Sequence, residues 1–310
     1  MAKAVDLAKV IYQVPDLALM EQTLVDFGLT VSQRDKDRLF MRGTGTQHHI
    51  HETRLGSEAR FIGAAFEMSS REDLDELAAL PGSSEVLPND EPGGGWVVRM
   101  TMPDGFEINA IWGRERVEAL PLRAPNPFNA GHEKTRVNAS IRVAREPSPV
   151  IRVGHFVLHV SNHDESVAWL QQRFGLLPSD YFAPPGQQSP IVGTFLRCNL
   201  GKQLVDHHSM LVLQADRVTV HHTSYEVQDI DSIMSAHDYL AAKQWKLDCG
   251  VGRHLLGSQV FDYWKDPFGF RIEHYTDGDV VDADYKPSIF NGTAEETTQW
   301  GMEPPSDFFM

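Results

Sequence analysis

A segment of 22 residues occurs twice in the chain, and this repeat constrains the fold more than any other feature of the sequence. Residues 8–29 read AKVIYQVPDLALMEQTLVDFGL, and residues 155–176 read HFVLHVSNHDESVAWLQQRFGL. Each copy is typical of a short apolar strand, a polar turn and an amphipathic helix that ends at Phe-Gly-Leu. The copies match without a gap at an offset of 147 positions, which pairs Ala8 with His155. The sequence therefore predicts two related α+β halves.

Two later segments match in the same order. Residues 65–68 (AFEM) resemble residues 224–227 (SYEV), and a predicted helix follows each of them. Residues 103–109 (PDGFEIN) resemble residues 267–273 (PFGFRIE), and both are typical of a glycine turn that leads into a strand. Three collinear matches argue against chance similarity, so each half is predicted to be one module.

The repeat divides the chain into four parts. Residues 1–113 are predicted to form the first module and residues 151–278 the second. Residues 114–150 are rich in Pro, Ala and Arg without sustained periodicity, so they are predicted to connect the modules. Residues 279–310 form a tail, whose aromatic residues are expected to pack on the core or on a neighbouring subunit; they are Tyr285, Phe290, Trp300, Phe308 and Phe309.

Composition excludes several classes of protein. A formal charge of −15, from 43 acidic and 28 basic residues, argues against a partner that is nucleic acid or an anionic membrane. The chain has no apolar run long enough to span a bilayer and no signal-peptide pattern at its start. Its two cysteines, Cys198 and Cys249, are too few for a disulfide scaffold or a structural zinc cluster. We expect a cytoplasmic protein.

The two halves differ at three strand positions that could bind a metal. The second half has His155, His222 and Glu273 where the first has Ala8, Gly63 and Asn109. Two imidazoles and one carboxylate leave coordination positions open, and this set suits non-haem Fe(II) with oxygen and a substrate. Each residue alone could equally be an ordinary strand residue that bonds to backbone or solvent. Together they predict a metal site in the second module only.

The second module resembles the type I extradiol ring-cleaving dioxygenases of the vicinal oxygen chelate superfamily. The resemblance lies in residues 153–156 (VGHF), 220–223 (VHHT), 252–254 (GRH) and 266–273 (DPFGFRIE). It implies an α+β fold of two tandem vicinal-oxygen-chelate modules, each built of paired βαβββ units. It also implies that residues 1–113 form a non-catalytic module.

The same resemblance implies roles for six residues. His155, His222 and Glu273 match the metal ligands, with Fe(II) as the expected ion and Mn(II) also suited to the set. His208 matches an acid–base histidine near the oxygen site, and His254 and Tyr263 match groups that hydrogen-bond the substrate oxygens. Because neighbouring strand residues point to opposite faces, His207 or His208, and His221 or His222, remain alternatives of register.

The implied activity is cleavage of a catechol-type ring by O₂ to a muconic semialdehyde-type product, by a homo-oligomer. One alternative is a glyoxalase-type metal isomerase, which usually draws four protein ligands from both modules or subunits. Another is a non-catalytic protein of the same fold that binds a small aromatic molecule. The dense cluster of His48, His49 and His51 has no carboxylate partner placed by the repeat, so we interpret it as surface or interface residues.

Overall fold

The structure is a computed structural model that describes residues 2–302, 304, 305 and 308. The expected packing of Phe309 lies outside these residues. Within the described part of the chain, no helix is long and apolar enough to cross a membrane.

The first module consists of two βαβββ units that share one eight-stranded sheet. The first unit comprises β1 (Ala4–Val14), α1 (Leu17–Asp26), β2 (Thr30–Arg34), β3 (Arg38–Arg42) and β4 (His51–Leu55). The second comprises β5 (Arg60–Met68), α2 (Arg71–Ala78), β6 (Leu87–Pro88), β7 (Trp96–Val98) and β8 (Glu107–Trp112). The strand order is β2-β3-β4-β1-β5-β8-β7-β6, so the first strands of the two units, β1 and β5, lie side by side at the centre.

The second module repeats this plan in a larger sheet. Its first unit comprises β9 (Arg152–Val160), α3 (His163–Phe174), β10 (Leu177–Phe182), β11 (Gly193–Arg197), the short β12 (Val205–Asp206) and β13 (Met210–Gln214). Its second unit comprises β14 (Thr219–Glu226), α4 (Ile230–Ala242), β15 (Lys246–His254), β16 (Val260–Lys265) and β17 (Arg271–Thr276). The expected pair of modules built from βαβββ units is confirmed.

The tail adds strands to the second module. It contains β18 (Val280–Val281), β19 (Ser288–Phe290), a 3₁₀ turn (Glu295–Thr297) and β20 (Thr298–Gly301). Strand β18 pairs with β12, β19 pairs with β10, and β20 pairs with β15, giving the order β19-β10-β11-β13-β9-β14-β17-β16-β15-β20 in the ten-stranded sheet. The tail therefore covers both edges of the sheet that carries the candidate ligands.

The strand register corrects one correspondence between the halves. Lys9 of β1 lies opposite Ala65 of β5, and His155 of β9 lies opposite Ser224 of β14. Lys9, rather than Ala8, is thus the counterpart of His155. A shift of one residue moves a strand side chain to the other face of the sheet, so the correction changes the chemistry.

The cause of the shift lies in the first helix of each module. Lys9 and His155 are 146 positions apart, and so are the helix-capping residues Asp16 and Asn162. Each capping side chain accepts a hydrogen bond from the first turn of its helix. The second module has one residue more between this cap and its Phe-Gly-Leu end, so the ends match at 147 instead. The other two correspondences, Gly63 with His222 and Asn109 with Glu273, agree with the register of β5–β8 and β14–β17.

The modules pack directly against each other. Tyr12 donates a hydrogen bond to Thr223 across the interface (3.1 Å), and the His274 ring stacks on Phe27 and bonds its carbonyl oxygen (2.7 Å). Residues 113–151, all described, contain no helix or strand, and within them Ser148 donates to the carbonyl of Ser232 on α4. The connection thus follows the surfaces of both modules.

Candidate active site

Three adjacent strands of the second module bring the candidate ligands together. His155 lies on β9, His222 on β14 and Glu273 on β17, and all three are buried. Nε2 of His155 lies 3.2 Å from Nε2 of His222 and 3.1 Å from Oε2 of Glu273, and Nε2 of His222 lies 3.4 Å from the same oxygen. The sheet holds the three donor atoms as a compact triangle.

This triangle has the dimensions of a metal site. Ligands about 2.1 Å from an ion, at right angles to one another, lie about 3 Å apart. Neither carboxylate oxygen of Glu273 has a hydrogen-bond partner in the described part of the chain, although the group is fully buried. A buried carboxylate without donors calls for a cation. The residues therefore fit a divalent metal bound on one face by His155, His222 and Glu273.

Local electrostatics keep the ligands in their metal-binding forms. Burial alone raises the pKa of Glu273, but the imidazoles of His155, His254 and His222 beside it hold that pKa well below its ordinary value. Burial also lowers the pKa of His222 well below 6.5. An ionised carboxylate and a neutral imidazole are the forms that coordinate metals.

His208 faces the triad from the loop before β13, with its ring centre 4.3 Å from that of His155. Its Nδ1 lies 3.0 Å from Nδ1 of His207, and Nε2 of His207 lies 2.8 Å from the carboxylate of Asp180 on β10. His208, His207 and Asp180 are all buried. Burial, with His155 nearby, lowers the pKa of His208 well below 6.5, so the imidazole is neutral near pH 7.

The chain of contacts sets the tautomer of His208. Asp180 can only accept a hydrogen bond from Nε2 of His207, because its carboxyl is ionised. Burial raises the pKa of Asp180, but the hydrogen bonds with His207 and Ser288 lower it by more, so the pKa lies below its ordinary value. In a neutral His207 the proton is then on Nε2, so Nδ1 accepts a hydrogen bond from the Nδ1–H of His208. This leaves Nε2 of His208 as a free acceptor. Sequence reasoning missed Asp180, because its role follows from a tertiary contact alone.

His254 and Tyr263 lie on the neighbouring strands β15 and β16. Nε2 of His254 lies 2.8 Å from Oη of Tyr263 and 3.5 Å from Oε1 of Glu273. Burial and then the nearby Glu273 raise the pKa of Tyr263 well above 10, so the phenol keeps its proton. Five of the six residues selected from the sequence thus line one pocket, and Glu273 lies behind them, within 3.5 Å of His155, His222 and His254.

The rest of this cavity, which we call the ring pocket, is mostly apolar, with Gln259 and Thr297 as further polar residues in its lining. Its wall consists of Val157, Phe182, Phe195, Leu211, Leu213 and Leu256. The ring of Phe308, from the tail, packs edge-on against Tyr263 (centres 5.1 Å apart) and closes one side. His221 also reaches the pocket wall, where Arg271 lies 2.8 Å from its Nε2. Of each histidine pair, the later member lies at the triad.

The corresponding position in the first module holds a lysine ammonium. Lys9 is 1% exposed and bonds Glu52 (2.5 Å) and Glu91. Burial raises the pKa of both carboxyls, but Lys9 holds them below their ordinary values. At Gly63, the counterpart of His222, a Cβ atom would lie 1.8 Å from the carbonyl oxygen of Glu107. This module therefore contains a fixed ammonium ion and no room for the second imidazole.

The interpretation of His48, His49 and His51 as surface or interface residues is wrong for His49, which is buried within the first module. His49 and His51 are buried, at 0% and 1% exposure, and His51 bonds Tyr225 of the second module (2.6 Å). The strand register makes His48 and His49 the counterparts of His207 and His208. The signal in the sequence is that both pairs read His-His, at corresponding positions of the two halves.

Comparison with known proteins agrees with this geometry. The family model described as Glyoxalase/Bleomycin resistance protein/Dioxygenase superfamily matches residues 152–274, the part that carries the triad.

Three curated relatives match over most of the chain. They are Metapyrocatechase 2 of Cupriavidus necator (25% identical, covering 96% of this chain and 88% of the relative), the Manganese-dependent 2,3-dihydroxybiphenyl 1,2-dioxygenase of Geobacillus genomosp. 3 (24%; 84% and 81%) and the Iron-dependent extradiol dioxygenase of Rhodococcus jostii RHA1 (26%; 86% and 80%).

Solved structures share the fold. An Mn(II)-bound glyoxalase from Novosphingobium aromaticivorans superposes with a TM-score of 0.82 at 23% identity, covering 100% of this chain and 95% of that one. An extradiol ring-cleaving dioxygenase from B. fuscum superposes with a TM-score of 0.82 at 20% identity, covering 100% and 82%. Residues 152–274 therefore match the Glyoxalase/Bleomycin resistance protein/Dioxygenase superfamily, and the chain as a whole is similar to extradiol ring-cleaving dioxygenases.

Proposed function

We propose that the protein is an Fe(II)-dependent extradiol dioxygenase of aromatic degradation. It opens a catechol-type ring beside the two hydroxyl groups, using both atoms of O₂, and yields a muconic semialdehyde-type product. The main support is that the His155–His222–Glu273 triad lies at a pocket that His208, His254 and Tyr263 also line. A protein that only binds an aromatic molecule does not need this set of groups.

The triad would bind the metal ion. A divalent ion held by His155, His222 and Glu273 supplies Lewis acidity that favours an ionised catechol and, as Fe(II), redox capacity toward O₂. Mn(II) suits the same ligands, and the relatives include one named manganese-dependent and one named iron-dependent.

The remaining polar groups position the substrate and handle its protons. Tyr263 keeps its proton and donates a hydrogen bond to a substrate oxygen, while His254 orients the phenol from the other side. The free Nε2 of neutral His208 takes up a proton in the pocket and returns it later, which is the role of a general acid–base. Asp180 and His207 fix this tautomer through two hydrogen bonds.

The ring pocket favours an uncharged substrate. Its described lining includes no lysine or arginine, and six aliphatic or phenyl side chains surround the space beyond the polar groups. Gln259 and Thr297 are uncharged, so an anionic ring substituent would be buried there without a lysine or arginine partner, at a cost of several kcal/mol. We therefore propose catechols with apolar, uncharged substituents as the substrate class.

The test is anaerobic reconstitution with Fe(II) or Mn(II), followed by a panel of catechols in air. We expect O₂ uptake and a yellow ring-opened product, with higher kcat/KM for methylcatechols than for carboxylated catechols. Glu273→Gln should lose the metal and the activity, whereas Glu107→Gln, in the first module, should keep both. Absence of O₂ uptake with every catechol, at full metal loading, would refute the dioxygenase.

A glyoxalase-type isomerase is the second candidate, because one solved neighbour is a glyoxalase. Such enzymes usually take a fourth protein ligand from the other module. At the corresponding place this chain has Lys9, Gly63 and Asn109, and Lys9 is already paired with two carboxylates. Isomerisation consumes no O₂, so the oxygen electrode separates the two activities.

We also propose a cytoplasmic location and a homo-oligomeric assembly. Cys198 and Cys249 are both buried free thiols, which suits a reducing compartment. The oligomer rests on the resemblance to the dioxygenases, and light scattering of the purified protein tests it.

A further inference from the structure

A cleft of about 480 Å³ lies between the two modules, outside the ring pocket. Strand β5 of the first module forms one wall, and strands β9 and β14 with the β16–β17 turn of the second form the other. The cleft shares His221 with the wall of the ring pocket, but none of the six candidate site residues lines it.

The charge of the cleft is opposite to that of the protein. Its lining contains Arg60, Arg217, Lys265 and Arg271 and no carboxylate, although acidic residues outnumber basic ones by 43 to 28 in the chain. Lys265 and Arg271 are paired with Asp248. Arg60 and Arg217 are exposed and form no ion pair with any described residue. Two guanidinium groups at the rim are therefore available to an anion.

A buried histidine at the cleft also lacks a partner. His159 is 1% exposed, and neither of its ring nitrogens has a hydrogen-bond partner among the described residues. Burial, together with Arg271 and Arg217, lowers its pKa to about 4, so the ring is neutral and carries one N–H donor. A buried polar group is normally satisfied, and here a ligand in the cleft can satisfy it.

The remaining wall is aromatic. Phe61 and Phe106 come from the first module, and Phe268 and Phe270 from the β16–β17 turn of the second. These rings offer an apolar surface beside the cationic rim. The combination favours an anion with an apolar body over a small inorganic anion, because guanidinium groups recognise a carboxylate while phenyl rings cover a hydrocarbon.

We propose that the inter-module cleft is a second ligand site, which binds a small organic carboxylate with an aromatic or other apolar body. Arg60 and Arg217 contact the carboxylate, His159 donates a hydrogen bond, and the phenyl rings enclose the apolar part.

The probe is 4-bromobenzoate, added to the metal-loaded enzyme. Calorimetry gives its dissociation constant, and anomalous scattering from bromine in soaked crystals gives its position. The test variant is Arg60→Gln/Arg217→Gln. The matched control is Arg34→Gln/Arg142→Gln, which removes two positive charges from exposed positions outside the cleft. Two further probes, 4-bromobenzyl alcohol and inorganic phosphate, test the need for the charge and for the apolar body.

We expect bromine density in the cleft. The dissociation constant of 4-bromobenzoate should rise about tenfold or more in the test variant and should not change in the control. The alcohol and phosphate should each bind at least about tenfold more weakly than the carboxylate. Unchanged affinity in the test variant, equal affinity for either other probe, or bromine at the triad alone would overturn the proposal. None of these readouts depends on turnover, so they stand apart from the dioxygenase test.

Discussion

The phenol oxygen of Tyr263 lies 2.8 Å from Nε2 of His254, and both groups face the ring pocket. In Tyr263→Phe the substrate loses a hydrogen bond while the apolar part of the ring remains. Hydrogen bonds to charged groups contribute about 1.5–3 kcal/mol, so kcat/KM should fall about ten- to hundredfold. Steady-state oxygen uptake measures the loss, and metal analysis should show full occupancy.

Tyr239→Phe is the matched control, because the Tyr239 hydroxyl bonds Asp26 at the module interface (2.8 Å) and lies outside the ring pocket. Its kcat/KM should match the wild type. If both variants lose activity equally, a specific role for Tyr263 is excluded.

Asp180 acts at a distance, through His207. In Asp180→Asn the amide nitrogen can donate a hydrogen bond to Nε2 of His207. This reverses the direction of both hydrogen bonds, so neutral His208 carries its proton on Nε2 instead of Nδ1. We expect kcat to fall about tenfold or more, while anaerobic catechol affinity and metal content stay unchanged. Ser288→Ala removes the donor to the other oxygen of Asp180 and should have little effect. Equal losses in both variants would point to a structural effect alone.

Lys9 balances two buried carboxylates in the first module. Lys9→Met should lower the free energy of unfolding by about 3–5 kcal/mol, because it removes the buried ammonium ion that Glu52 and Glu91 share. Adding Glu52→Gln and Glu91→Gln should restore part of the loss. Lys202→Met breaks an exposed, solvent-screened pair and should change the free energy of unfolding far less than Lys9→Met. Urea unfolding provides the comparison, and a loss as small as that of Lys202→Met would contradict the assignment.

His237 should make stability depend on pH. Its hydrogen bond to Asp262 (3.0 Å) raises the pKa of His237 above 6.5. The folded state then binds the proton more tightly than the unfolded state, so this stabilisation is complete below about pH 6.5 and is lost as the pH rises through the folded pKa. His237→Gln should reduce the fall in unfolding free energy between pH 6 and pH 9. The exposed His132→Gln should leave the pH profile unchanged, and an unchanged profile in His237→Gln would disprove the linkage.

The sequence predicted the modules well, because the repeat was long and its helices ended at matching Phe-Gly-Leu signals. It predicted a ligand triad from differences between the halves, and strand geometry brings those three residues together. The Ala8 correspondence was wrong because α3 is longer than α1. A match without a gap aligns the helix ends and therefore pairs the strand residues one position out of register. Asp180 and the inter-module cleft depend on contacts between distant segments, which no local pattern encodes.

The backbone at Gly63 has an evolutionary consequence. A single codon change to histidine would not restore a metal site in the first module, because the new Cβ would collide with the Glu107 carbonyl, which belongs to the β8 backbone. Strands β5 and β8 would have to separate first, and Lys9 would also have to be replaced. The close contact between β5 and β8 therefore keeps the first module from gaining a metal site by replacement of side chains alone.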